Sequence, residues 1–335
     1  MLRKIYRHIR FGLLMLLTIA LIAACNGVSS NSNSGTTAAD RSQDCRVVQH
    51  AGGETCVPLQ PERVVALDSI SLEHLLALGI KPIGATLSDS FAAQLQQDLQ
   101  GVADIGNAGE PSLEKVLALQ PDLILGGDYY QPIYAQSSRI APTILFTMEH
   151  SGQWKDVFLS VAQMLDKKEV AEQVMNAYYK RLDEFKQQMG DRIQQTKVSV
   201  VRIYPDTINL YLKDSFCGTV LQDAGLPRPE AQNVSASEAK KRFDNEIQTS
   251  ISRELLQQAD GDVMFVWTGE NTPEANQQAQ KKLVELKSDS LWQRLNVVQQ
   301  DKIYQVPSYW IGSAPIAANL VIDDLFKYLV GTPSP

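Results

Sequence analysis

The residues of this chain best suited to chemistry are one arginine and several aromatics, each at or near the end of an apolar run. Arg202 interrupts the stretch KVSVVRIY (Lys197 to Tyr204), and a charge within an apolar β run demands a reason. Tyr204 closes that stretch, Tyr129 and Tyr130 follow the run at Leu123-Ile124-Leu125, Trp267 follows Val263 to Val266, and Trp310 follows Ile303 to Val306. Ligands of open α/β sheets lie beyond the carboxyl ends of the strands, so these positions are candidate ligand contacts, with Ser88 and Asp89 beside them. Each has a plainer use. Arg202 can pair with Asp206 or Asp214, and each aromatic can fill a core. Enzyme chemistry finds no foothold, because the chain has no G-x-S-x-G elbow, no G-x-x-x-x-G-K-[ST] loop and no H-E-x-x-H. A bare divalent metal would need His and carboxylate ligands converging from both halves. After residue 24 only His50, His74 and His150 remain, and His74 sits beside Leu75 and Leu76 as a packed side chain would.

The elements that must position these residues alternate between strand and helix. Arg63 to Leu67, Ile83 to Thr86, Leu123 to Gly126 and Thr143 to Phe146 read as strands, with helices at Ser71 to Leu78 and Ser112 to Leu119 between them. Farther on, Lys197 to Tyr204 and Thr207 to Leu212 form a hairpin, and Val263 to Val266 and Ile303 to Val306 are strands. Helices fall at Cys217 to Asp223, Ser252 to Gln258, Lys281 to Leu286 and Ala317 to Val330. That order predicts parallel βαβ units. Between the two groups stands Lys167 to Gly190. Its apolar residues Val170, Val174, Tyr178, Leu182, Phe185 and Met189 make one helical stripe, on a helix about 36 Å long. The spacing predicts a strut between two lobes.

The first 24 residues carry a basic start (Arg3, Lys4, Arg7, Arg10) and an apolar stretch Phe11 to Leu21, as a secretory signal does. Leu21-Ile22-Ala23-Ala24-Cys25 resembles a bacterial lipobox, which implies a lipidated Cys25 at the mature N-terminus and a chain held at the outer face of the cell membrane. Taking those four basic residues from 31 leaves 27 against 38 acidic ones, a formal charge of −11 that argues against nucleic acid as a partner. Residues 25–43 are small and polar and read as a tether. In an oxidising compartment Cys45 and Cys56, bracketing a glycine turn, suit a disulfide across a small hairpin, and Cys217 is left as a buried thiol.

The two halves echo each other. Ser112-Leu113-Glu114 is followed eight residues after the acid by Asp122 and an apolar run, and Ser252-Arg253-Glu254 by Asp262 and another. An acid after a serine is also ordinary helix-start chemistry. The stretches PERVVALDSISLEHLLALGIKPIGA, GNAGEPSLEKVLALQPDLILGG, YLKDSFCGTVLQDAGLPRP and GSAPIAANLVIDDLFKYLV resemble, in order, the iron-siderophore substrate-binding lipoproteins of ABC importers. That resemblance covers residues 60 to 330 and implies an α/β protein of two Rossmann-like lobes joined by a single long helix, as in class III periplasmic binding proteins. The expected division is a leader at 1–24, a tether at 25–43, an N-terminal lobe at 44–150, an interlobe helix region at 151–195 and a C-terminal lobe at 196–330. The family is not catalytic and has no intrinsic cofactor. The resemblance implies a monomer that takes a ferric siderophore between its lobes, with Glu114 and Glu254 docking on a permease dimer driven by ATPase subunits. Ferric siderophores are bulky, often anionic and rich in oxygen, which suits Arg202 and the aromatics. Haem or cobalamin carried by the same fold is the alternative cargo, and a surface hydrolase or an adhesive lipoprotein the alternative of another class.

Overall fold

A computed structural model describes residues 45–87, 95, 97–107, 109–269 and 272–331. The leader, the tether, Cys25, Ser88 and Asp89 lie outside the described residues. The first element is an antiparallel hairpin, β1 (Cys45–His50) and β2 (Gly53–Pro58), closed by a Cys45–Cys56 disulfide with the Cα atoms 5.5 Å apart. This hairpin has a structural task. The Ala51 N–H donates to the Leu145 carbonyl at 2.9 Å, and the Leu145 N–H donates to His50 Nδ1 at 3.2 Å. Leu145 lies on the outermost strand of the first sheet, so the hairpin covers an edge whose N–H and C=O groups would otherwise be unpaired.

That first sheet holds β3 (Val64–Ala66), β4 (Gly84–Ala85) and β5 (Ala103–Asp104). A two-stranded ribbon of β6 (Gly106–Asn107) and β7 (Glu110–Pro111) intervenes before β8 (Leu123–Gly127) and β9 (Thr143–Phe146). The order is β5-β4-β3-β8-β9, every neighbour parallel. β3, β8 and β9 are buried at every residue, which is why they read as unbroken apolar runs rather than alternating ones.

The strut is one helix, Lys168–Met189. Tyr178, Leu182, Phe185 and Met189 are buried on it as the stripe predicts, but in the first two turns Ala171 and Met175 replace Val170 and Val174, which are only partly covered. The small Ala171 lets that end approach the preceding helix, Trp154–Met164.

The second sheet follows: β10 (Val198–Ile203), β11 (Ile208–Tyr211), β12 (Gln248–Ile251), β13 (Val263–Trp267) and β14 (Ile303–Gln305), in the order β12-β11-β10-β13-β14. β10, β13 and β14 are parallel, and β11 and β12 run antiparallel at one side. The echoed aspartates do the same work in each sheet. Asp122 accepts the N–H groups of Glu62 (2.8 Å) and Arg63 (3.0 Å), just ahead of β3, and Asp262 accepts that of Lys197 (2.7 Å), just ahead of β10. Each acid precedes a central strand and clamps the entry of its parallel neighbour.

One apolar cluster runs from Val64, Leu125 and Phe146 of the first sheet through the strut to Val200 and Phe265 of the second. The closing helix Pro315–Leu325 lies against the strut, against Trp154–Met164, against Ser69–Ala77 of the first half and against Phe216–Asp223 of the second. Polar bonds tie the same seam. Asp223 accepts from Tyr178 Oη and Lys155 Nζ, both at 2.7 Å, and buried Glu73 accepts the Ala317 N–H at 3.1 Å. Glu73 stands in a Ser-x-Glu context like Glu114 and Glu254, yet its buried carboxyl oxygen caps the first turn of the closing helix rather than facing solvent.

Candidate ligand-binding cleft

Along β10 the side chains of Val198 and Val200 belong to the interlobe cluster, and Val201 and Ile203 to the core on the sheet's other face. Two residues beyond Val200 on the same face, at the carboxyl end of the strand, stands Arg202. In the parallel register it lies beside Trp267 of β13. Its guanidinium carbon is 3.8 Å from the centroid of the Trp267 ring and 4.0 Å from that of Tyr204. Nη2 donates to the Gly269 carbonyl at 2.9 Å, and Nη1 lies 3.5 Å from the Tyr211 hydroxyl. Each cation–ring contact is worth about 0.5–2 kcal/mol. The two rings and the carbonyl hold Arg202 in one plane. Tyr204 is half-buried and Trp267 is 6% exposed, so the indole serves as a wall behind the charge.

In the first sheet the corresponding strand end is Gly126-Gly127 of β8. The Tyr129 ring folds back over Gly127, where a Cβ would meet a ring carbon at 2.4 Å. Tyr129 remains 51% exposed and offers an aromatic surface at the mouth of the lobe. Tyr130 does not. It is 2% exposed, its hydroxyl donates to the Leu67 carbonyl at 2.7 Å, and it accepts the Gly109 N–H at 3.3 Å. Beneath these sits Asp68, the N-cap of helix Ser69–Ala77, accepting the N–H groups of Ser71 (2.6 Å) and Gly127 (3.1 Å). Burial pushes the Asp68 carboxyl up, and those N–H donors pull it back.

Trp310 is likewise internal. It has no exposed surface, stacks on Phe265 at 4.1 Å and donates through Nε1 to Asp324 at 2.8 Å, where the Tyr309 hydroxyl donates too. As ligand contacts Tyr130 and Trp310 are therefore corrected to supports. A strand-end position identifies the rim of the lobe but not which side of the turn a ring falls on, and at both positions the ring falls inward. Sequence reasoning also passed over Tyr211, Asp68, Gly127 and Gly269. The doubled glycine after Leu125 was the one visible signal among them.

Glu114 and Glu254 are both exposed in the first turns of their helices, Leu113–Ala118 and the 3-10 helix Arg253–Ala259. Ser112 caps the first, accepting from the Lys115 N–H at 3.3 Å. At the second, the acid's own backbone N–H and the Ser252 hydroxyl hold the Glu254 carboxyl below its ordinary range. Each helix leads into a central parallel strand, so its first turn lies at the end of the sheet where the strand-end residues emerge. His50 is spent on the hairpin. His74 is fully buried between Phe146 and Phe158, with neither ring nitrogen hydrogen-bonded and its pKa lowered to about 3 by desolvation. Among the described residues no group of His, Cys, Asp and Glu gathers as a metal site would, and no helix is long and apolar enough to cross a membrane. A groove of about 660 Å³ beside β12, lined by Phe243, Ile251 and Leu255, includes none of the strand-end residues.

Comparison with known proteins agrees with this architecture. The model of the family described as "Periplasmic binding protein" matches residues 64–310. The chain is 34% identical to the probable siderophore-binding lipoprotein YfiY of Bacillus subtilis, over 97% of this chain and 99% of that one. To the Fe(3+)-citrate-binding protein YfmC of the same organism it is 27% identical, over 87% and 86% of the two chains. Among solved structures it is similar to Staphylococcus aureus SirA complexed with staphyloferrin B, with a TM-score of 0.72 at 24% identity, covering 85% of this chain and 98% of that one. The expected fold class stands: two α/β lobes, the first on a parallel sheet and the second on a mixed one, and one long helix. With its family model matched over most of its length, this chain belongs to the periplasmic binding protein family, whose members bind cargo rather than transform it.

Proposed function

We propose that this protein is the substrate-binding component of an ABC importer, capturing a ferric siderophore between its lobes and delivering it to a membrane permease. The observation that carries the reading is Arg202, a cation fixed between two aromatic faces at the carboxyl end of β10. A bulky anionic chelate needs such a charge, already ordered and partly desolvated, together with the aromatic surfaces of Tyr129 and Tyr204. The cargoes named for relatives, siderophore in YfiY and ferric citrate in YfmC, favour this class over haem or a corrin. YfiY is itself named a lipoprotein, which supports lipidation of Cys25 and an extracytoplasmic, membrane-tethered protein. Glu114 and Glu254, one on each lobe, make a two-point acidic handle for a permease dimer whose ATPase subunits supply the energy.

The handle is tested by the double variant Glu114→Ala/Glu254→Ala. It keeps the ligand Kd of the natural chain within about twofold, because neither acid lies among the strand-end contacts. Growth on ferric siderophore as sole iron source, in cells lacking the natural copy, falls roughly tenfold or more. Undiminished growth would remove the docking role and leave the binding role intact.

A further inference from the structure

Gly269 lies two residues past Trp267, and a Cβ built on it would meet three atoms of that indole at 2.5, 2.6 and 2.7 Å. Its backbone does not explain a glycine, since its φ lies outside the left-handed region. What requires the missing side chain is space for the ring. Trp267 is 6% exposed and has the Arg202 guanidinium 3.8 Å above its centroid, so a displaced ring pushes on the charge. The Gly269 carbonyl meanwhile takes the Arg202 Nη2–H at 2.9 Å.

We propose that Gly269 is a positioning residue that seats Trp267 and, through the ring and its own carbonyl, holds the Arg202 guanidinium in the plane that receives the ligand. This rests on the reading of Arg202 as the ligand's cationic contact. The centroid of the Tyr204 ring lies 4.0 Å from the same guanidinium carbon, so two rings and the Gly269 carbonyl together set where the charge stands. An alanine at 269 must move the indole by about 1 Å to restore ordinary contact distances, enough to shift the charge it supports away from the ligand's oxygens.

The test uses Gly269→Ala, Trp267→Leu and their combination, with thermal melts to confirm folding. Two readouts are taken: rotation of the Arg202 guanidinium about its Cζ–Nε bond by nitrogen NMR without ligand, and the Kd for ferric citrate. Gly269→Ala speeds the rotation and weakens ferric citrate about tenfold, the loss of one charge-assisted bond. In the Trp267→Leu background the same substitution changes the Kd less than about twofold, since the ring it acts through is gone. Unchanged rotation in Gly269→Ala, or an equal loss in both backgrounds, overturns the proposal. If Arg202→Ala binds ferric citrate as well as the natural chain, or the natural chain does not bind it, the ligand reading of Arg202 falls for that chelate. The rotation rate then still decides whether Gly269 holds Arg202.

Discussion

Replacing Arg202 by alanine should weaken ferric siderophore binding by about two orders of magnitude, the worth of a charge-assisted pair of about 1.5–3 kcal/mol made in a partly desolvated site. Stability should fall little, because Arg202 stands at the rim of the sheet and its neighbours Tyr204 and Trp267 can close on each other. Arg202→Lys should land between the two. It keeps the charge but loses the planar guanidinium that fits between two rings. Isothermal titration of the three proteins with one ferric ligand measures this. Equal affinities would show that the cleft holds its cargo by other groups.

A second large effect concerns pH and stability, and it arises from two neighbouring residues of helix Ser69–Ala77. Glu73 is buried with no charged partner contributing, and desolvation raises its pKa from 4.5 to about 8, countered in part by the Ala317 N–H. The folded protein therefore holds a proton that the unfolded chain has lost between those values, and stability falls as pH rises from about 4.5 through 8. His74 acts in the opposite sense. Burial lowers its pKa from 6.5 to about 3, so the unfolded chain takes up the extra proton and stability falls as pH drops through that window. Stability should thus be highest on a plateau between about pH 4.5 and 6.5, where the two effects offset each other, and fall on either side, each limb worth about 2 kcal/mol. Glu73→Gln keeps an acceptor for Ala317 and should flatten the alkaline limb. His74→Phe should flatten the acidic limb and raise stability by about 1–3 kcal/mol, because both buried nitrogens lack partners. Urea melts between pH 3 and 9 measure both, and a natural chain whose stability is flat across that range would refute the assignment.

Much of this architecture is legible in the sequence because burial leaves a period. The strut's stripe from Tyr178 to Met189 and the buried runs of β8 and β13 follow from which faces must be dry, whereas the echoed Asp122 and Asp262 mark the backbone N–H groups they clamp. Elements without such a period are harder to see. Helix Pro273–Lys287 was legible only from Lys281, since its first turns (PEANQQAQ) are polar and bury little beyond Ala279. The start of the strut turned out rotated by one residue because a small side chain, Ala171, wins where two helices approach closely.

At the cleft the sequence exposes charge and aromaticity but not direction. Arg202 could be picked out because an arginine among Val and Ile has few excuses. Tyr130 and Trp310 could not be separated from Tyr129 and Trp267, because that depends on turns whose hydrogen bonds to Leu67, Gly109 and Asp324 come from elsewhere in the chain. The seat at Gly269 is a contact between a ring and an absent side chain, and nothing in the sequence marks it.

The capture of a ferric siderophore in the cleft is tested most directly by tryptophan fluorescence on the chain from residue 44. It would be titrated with ferric citrate, a ferric citrate-hydroxamate, a ferric trihydroxamate, a ferric catecholate, haem and cobalamin. Of the four tryptophans, Trp154, Trp292 and Trp310 are at most 1% exposed, and only Trp267 borders Arg202. Saturable quenching by one ferric class, lost in Trp267→Phe and weakened in Arg202→Ala, is the predicted result. Quenching by haem or cobalamin alone, or by none of the six with the protein folded, would contradict it.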